Sequence, residues 1–314
     1  MASGSKKAVY AALFGNLGIA ITKFIAALIT GSAAMWAEAY HSASDTFNQI
    51  LILLGIKIST KAANYQHQFG RGREVYFWSF IVATMIFGIS GILSLEQGTT
   101  SLLEFPRHQI RDSQISYIVL AIAFCFEANA LRIAVKQFFR EIREKGEKIR
   151  FSSLIEHFKE SKDVALLTVI VEDCAALLGI IIAAIGIFLS EVSGNAIYDA
   201  IASLFIGGIL MFFAFFLAKE NKDLLIGESV SKREYKRIAQ SIQEIPEVNK
   251  LISMRTMHMG PEDILVGVQV NLIDNLDTDK IESVTDAVEQ KIMEIIPHTN
   301  REHIFVEIER ERRK

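Results

Sequence analysis

The chain has 314 residues, 51% of them hydrophobic and 22% charged, with a formal net charge of −3. That balance excludes a globally basic nucleic-acid binder, and its 2 cysteines, Cys125 and Cys174, sit inside apolar segments and argue against a disulfide framework. Long apolar runs and only 4 prolines point to a helical membrane protein.

Six runs approach the roughly 20 apolar residues that cross a bilayer as a helix. They cover about 8–30, 33–57, 76–99, 114–135, 163–190 and 195–220. The first follows directly on Met1–Lys7, which reads as an uncleaved start, and it carries Asn16 and Lys23. The second contains Glu38, His41, Asp45 and Asn48 at steps of three, four and three, one stripe of a helix. His41 and Asp45 lie one turn apart, so an imidazole and a carboxylate can reach one ion. One nitrogen and one oxygen ligand suit a borderline divalent metal such as Zn²⁺. Placing ionisable groups in lipid costs roughly 3 kcal/mol or more each, so the stripe faces protein or water. It serves either as an ion site or as a polar seam between helices.

The third run holds Gly88 and Gly91, which permit close helix contact. The fourth holds Glu127, flanked by Phe126 and Asn129. This carboxyl can pair with Lys23 or Arg132, carry protons, or reach a metal. In the fifth, Glu172 and Asp173 are adjacent and point about 100° apart, so one helix face cannot present both equally. Glu172 either binds an ion or balances a basic residue on a neighbouring helix. The sixth holds Asp199, read as a partner of a ligand or a proton carrier, then Gly207 and Gly208. Its Phe212, Phe213, Phe215 and Phe216 are expected to face lipid.

Basic residues set the orientation. Lys6 and Lys7, then Lys57, Lys61, Arg71 and Arg73, then the segment from Lys136 to Lys162 fall on one side. The other side has Arg107 and Arg111 offset by Glu104, Asp112 and Glu191. Both termini are therefore expected in the cytoplasm of an integral, multi-pass protein, in the cell membrane if the source is prokaryotic.

Residues 1–226 form the expected membrane domain and 227–314 a small cytoplasmic α+β domain. In the latter, Ser231 and Glu234 form a capping box for a helix over 233–244, ended by Pro246. Alternation predicts strands over 251–259 and 264–272, separated by a turn at Gly260-Pro261-Glu262-Asp263. A helix follows over 278–296, with Ile281, Val284, Val288, Ile292 and Ile295 at helical spacing, then a strand over 304–308. The order α-β-β-α-β gives two helices on one face of a three-stranded sheet. Such a module commonly dimerises or senses. His258, His303, Glu307 and Glu309 are its candidate ligands, with His303, Glu307 and Glu309 sharing one strand face, or else a solvated charged edge. His108, His157 and His298 read as loop or surface residues.

Two carboxylates and one imidazole would bind a divalent ion with little residual charge. Ligands lose protons when metal binds, so such a site exchanges metal for protons.

The residues in this order resemble the cation diffusion facilitators. The resemblance rests on the His41-x-x-x-Asp45 pair, Asp173 in the fifth helix, Asn16 and Lys23 in an Asn-x6-Lys spacing followed by Gly31-Ser32, and Asp199 ahead of Ala202 and Gly207-Gly208. The loop His67-Gln68-Phe69-Gly70-Arg71-Gly72-Arg73-Glu74 is also similar, and the likeness covers about residues 8–310. It implies a homodimeric metal/proton antiporter with His41, Asp45 and Asp173 as ligands. The usual fifth-helix histidine is Val169 here, so the fourth ligand is Glu172, a water or a group from another helix. The Glu172-Asp173 pair resembles the zinc transporter 9-like branch. Fewer nitrogen ligands would admit Mn²⁺, Fe²⁺ or Co²⁺ beside Zn²⁺. The family's extra loop site is expected to be empty, since its positions are Asn64, His67 and Arg71. Arg71 and Arg73 are expected to lock to acids such as Asp223 or Glu228.

The expected function is export of a divalent transition metal from the cytoplasm, Zn²⁺ first, in exchange for protons. No cofactor and no nucleic acid are expected; the partners are the metal, protons, membrane lipid and a second copy of the chain. The alternatives are a Mn²⁺, Fe²⁺ or Co²⁺ exporter of the same architecture, a membrane metal sensor or scaffold that does not transport, and an intramembrane hydrolase activating water on the same ligands.

Overall fold

The computed structural model describes residues 3–103, 112–144, 164–261, 263–297 and 299–310. Glu104, Arg107, His108, Arg111, the greater part of the basic connection before Lys162, His157, Glu262 and His298 lie outside the described residues. Six long helices come first: α1 (Ser3–Thr30), α2 (Ala33–Ser59), α3 (Glu74–Leu103), α4 (Ser113–Glu144), α5 (Val164–Ser193) and α6 (Ile197–Ile226). At 1.5 Å per residue, a 27-residue helix such as α2 is about 40 Å long, more than the roughly 30 Å of bilayer hydrocarbon. The helices overrun the apolar runs because nothing in the flanking polar residues stops them. Within α3, Val82–Phe87 forms a π-helical stretch.

Five helices, α1 and α3 to α6, are long and apolar enough to cross a membrane. α2 has the length but falls short in apolarity, because its middle carries Glu38, His41, Asp45 and Asn48. Those four side chains are enclosed by protein. Apolar side chains such as Phe14, Leu28, Phe205, Phe212 and Phe215 point outward, as a lipid-facing surface requires.

The chain divides into two compact units, Met1–Gly55 with Phe77–Asn221, and Ile56–Tyr76 with Lys222–Lys314. In the first unit the α1–α2 corner is made by Gly31, at φ 68°, whose N–H donates 2.9 Å to the Ala27 carbonyl. Ser32 then starts α2, its hydroxyl accepting from the Met35 N–H at 3.1 Å. Small residues bring α3 and α6 together. A Cβ on Gly207 would lie 2.9 Å from the Gly91 carbonyl, and one on Gly98 2.9 Å from the Ala200 carbonyl. Gly88 and Gly208 make no such approach, so two of the four glycines expected at helix contacts are there.

The second unit holds α7 (Lys232–Gln243), β1 (Val248–His258), β2 (Ile264–Leu272), α8 (Thr278–Ile295) and β3 (Ile304–Ile308). Strand order is β1-β2-β3, with β1 antiparallel and β3 parallel to the central β2. Ser231 and Glu234 form the expected capping box at α7. Ile238 and Ile242 of α7, Val284, Val288 and Ile292 of α8, and Val266, Val268 and Val270 of β2 bury one core. The α2–α3 connection packs in this same unit. Phe69 lies against His303 and Phe305, with ring centroids 5.5 and 6.5 Å apart. Gly72 sits so close to the backbone of Met259 and Gly260 that a Cβ would collide. Arg73 Nε donates to the His258 carbonyl at 3.3 Å.

Gly207→Ala must push backbone aside and should cost about 1–3 kcal/mol, the usual range for overpacking. Gly208→Ala meets open space and should leave the melting temperature in detergent unchanged.

Candidate metal site

α2 presents Glu38, His41, Asp45 and Asn48 to the interior; His41 is fully buried and Asp45 is 7% exposed. His41 Nδ1 and Asp45 Oδ1 are 3.4 Å apart, one helical turn along α2. On α5, Glu172 and Asp173 are also buried, at 5% and 8% exposure. Glu172 Oε1 and Asp173 Oδ2 are buried without a hydrogen-bond partner among the described residues. Such atoms are costly unless a cation or proton joins them.

One contact relates the two helices. Glu38 Oε1 presses on Gly179 of α5, where a Cβ would collide with it. Two helices, α3 and α4, lie between α2 and α5 in the chain, so as successive membrane crossings α2 and α5 run antiparallel. Seven residues along α2 from Glu38 is Asp45, and seven back along α5 from Gly179 is Glu172, two turns on the same face in each helix. Asp45 therefore stands opposite Glu172, and the two interact electrostatically. Even so, among the described residues no three His, Cys, Asp or Glu side chains converge closely enough to hold one ion. The α2 pair and the α5 pair face a common interior without closing on it. Val169 points elsewhere: it packs with Leu131 and Phe139 on an apolar cluster of Ala134, Phe138, Leu166 and Ile170 between α4 and α5.

Two further groups lie on this interior. Glu127 of α4 is buried on a seam with Leu120, Ala123 and Ala134, within electrostatic reach of Asp45, Glu172 and Asp173. Lys23 of α1, one of the two cations considered for pairing with it, hydrogen-bonds Glu38 at 2.7 Å, with both side chains fully buried. That pair was hidden in the sequence, although a lone lysine inside an apolar helix signals a buried carboxylate partner.

Asp199 has a definite structural task. From α6 it accepts from the Ser32 hydroxyl at 2.6 Å and from the Ala33 and Ala34 N–H groups at 2.5 and 3.3 Å. It thus caps the N-terminus of α2 from another helix, where unsatisfied N–H groups and the helix dipole favour an anion. Its own N–H donates to Ser190 of α5 at 2.9 Å.

The other candidates make local contacts. Asn64 accepts from the N–H groups of Gln66 and His67, and Arg71 lies 3.4 Å from His67 Nδ1, all within the α2–α3 loop. In the second unit, His303 departs from expectation. It sits in a single 3₁₀ turn, Arg301–His303, which breaks the strand alternation and turns its ring inward to Asp263 at 2.9 Å. Glu307 remains on the exposed face, accepting from Gln269 at 2.8 Å. His258 is buried.

The helices, their outward apolar faces and the enclosed acid and imidazole groups define an integral, multi-pass membrane protein with a polar interior. Residues 9–226 match the family model described as the cation efflux transmembrane domain, and the chain belongs to the cation efflux family. It is 33% identical over 257 residues to the human proton-coupled zinc antiporter SLC30A9, mitochondrial, which puts it on the zinc transporter 9-like branch. That match covers 82% of this chain and 44% of the human protein. Metal tolerance protein C4 of Arabidopsis thaliana is 27% identical over 82% of this chain and 55% of its own length. The manganese efflux system protein MneP of Bacillus subtilis is 23% identical, over 94% of this chain and 96% of its own. The chain thus spans only about half of the first two relatives.

Asp199→Ala removes the cap of α2 and should lower stability by about 1–2 kcal/mol, read as a fall in melting temperature.

Proposed function

We propose that this chain is a secondary active transporter that carries a divalent transition metal, Zn²⁺ first, out of the cytoplasm in exchange for protons. The observation that carries the reading is the pair of enclosed donor sets, His41 and Asp45 on α2 facing Glu172 and Asp173 on α5, with carboxylate oxygens that lack hydrogen-bond partners among the described residues. These four are the proposed ligands. A relative named as a proton-coupled zinc antiporter supports both the ion and the coupling.

The chemistry follows from charge. Carboxylates facing one another across a low-dielectric interior repel when all are ionised. Either a dication or protons relieve that repulsion, and each displaces the other. Because the ligand sets are apart here, an ion must draw α2 and α5 together to be held by both. That movement is the natural point for access to switch from one membrane face to the other. The reading extends to both termini in the cytoplasm, to residues 227–314 as a dimerisation or regulatory domain, and to a homodimer. Export then means movement away from the side that bears the tail.

A second reading keeps the mechanism and changes the ion to Mn²⁺, Fe²⁺ or Co²⁺. It is favoured by the donor set, which has one imidazole against three carboxylates, and by the relative named for manganese efflux.

Proteoliposomes carrying a metal-sensitive dye test these readings. Zn²⁺ flux should be driven by a proton gradient and fall at least about a hundredfold in Asp45→Ala and Asp173→Ala, since a lost ligand is worth several kcal/mol of ion binding. Flux of Mn²⁺ exceeding that of Zn²⁺ would select the second reading. Metal binding without flux would overturn both in favour of a sensor.

A further inference from the structure

Lys23 is the one buried lysine or arginine among the described residues of the membrane unit, and it is fully enclosed. Its ammonium donates to Glu38 Oε2 at 2.7 Å. Glu38 Oε1 has no hydrogen-bond partner among the described residues and lies in the space left by Gly179. Lys23 is also within electrostatic reach of Glu127 and Asp45. One fixed cation thus sits among three carboxylates from α2 and α4, bonded to one of them.

A pair of this kind is a weak source of stability. Desolvating both charges offsets most of their attraction, and an apolar pair of the same volume often serves as well or better. Glu38 stands three residues before His41 on the same stripe, one turn away, at a Cβ separation of roughly 5–6 Å. It has the chemistry and the position of a third α2 ligand. Lys23 occupies it.

We propose that Lys23 sets the affinity of the transport site by holding Glu38 out of the ion's coordination and by adding a fixed positive charge beside it. It is a positioning residue that acts through Glu38. With Lys23 in place, the cation meets fewer anionic donors and leaves more readily, which a transporter needs at each turnover. This inference rests on the metal-transport reading of His41 and Asp45.

The test uses the full chain purified in detergent, with Zn²⁺ titrated calorimetrically, and the same variants in proteoliposomes for KM and kcat. Lys23→Met should bind Zn²⁺ about tenfold more tightly than the wild type, with a lower KM and a lower kcat, in line with the 10–100-fold effect of groups that govern ligands. Glu38→Gln leaves the lysine charge uncompensated and should weaken binding by about as much. The double variant Lys23→Met/Glu38→Gln should return to within about threefold of wild type. Lys23→Gln, which keeps a donor to Glu38 without the charge, should move affinity in the same direction as Lys23→Met and covers the case in which the methionine variant fails to fold. A purely structural pair would instead weaken binding in both single variants, with affinity tracking the melting temperature. That pattern, or Lys23 variants that bind no more tightly than wild type, overturns the inference while leaving the transport reading intact. Wild-type protein that binds no divalent metal overturns both.

Discussion

A helix whose middle holds two carboxyls, an imidazole and an amide cannot show that face to lipid, and the membrane unit is arranged around this fact. α2 does not meet the apolarity of a free-standing span. Its stripe would cost roughly 3 kcal/mol per ionisable group against hydrocarbon. Neighbours answer its first carboxyl and its N-terminus. α1 supplies Lys23 to Glu38, α5 opens Gly179 for the same carboxylate, and α6 brings Asp199 to the N-terminus of α2. The other helices can be apolar outside because this one is polar inside.

Features that depend on one segment at a time were legible in the sequence. Apolar length marked the helices, α2 alone falling short in apolarity, and alternation with turn chemistry marked the α-β-β-α-β tail, down to the capping box of Ser231 and Glu234. The three-four-three spacing put Glu38, His41, Asp45 and Asn48 on one buried stripe. What stayed hidden depends on which segments adjoin. Nothing local to Lys23 chooses Glu38 over Glu127, and nothing local to Asp199 names Ser32 as its partner. His303 shows the converse limit. Counting by twos assumes that a strand has begun, and a single 3₁₀ turn before Ile304 reverses the outcome.

Val169 and Lys23 bear on one property from two directions. At Val169 a nitrogen donor is replaced by an apolar contact with α4. At Lys23 an oxygen donor is present but engaged. On the proposed transport reading, both would thin the set of groups available to an ion, and a sparse, oxygen-rich set discriminates less sharply among divalent metals than a nitrogen-rich one. Selectivity in such a site depends on geometry at closure as much as on donor type.

The Asp199 cap also bears on how the molecule is made. Asp199 and Ser32 are 167 residues apart in the chain. Translation proceeds from the N-terminus at about 5–20 residues per second, so α2 waits roughly ten to thirty seconds for the residue that caps it. Over that interval its polar stripe has Lys23 of α1 as a companion but lacks α5 and α6. The first two helices therefore have reason to remain as a hairpin beside the insertion machinery, shielded from lipid, until the last two arrive. The aromatic ring of Phe69 faces a longer delay, since its partners His303 and Phe305 lie still further along the chain. The polar helix α2 is thus made early and is fully housed only once α6 has followed it.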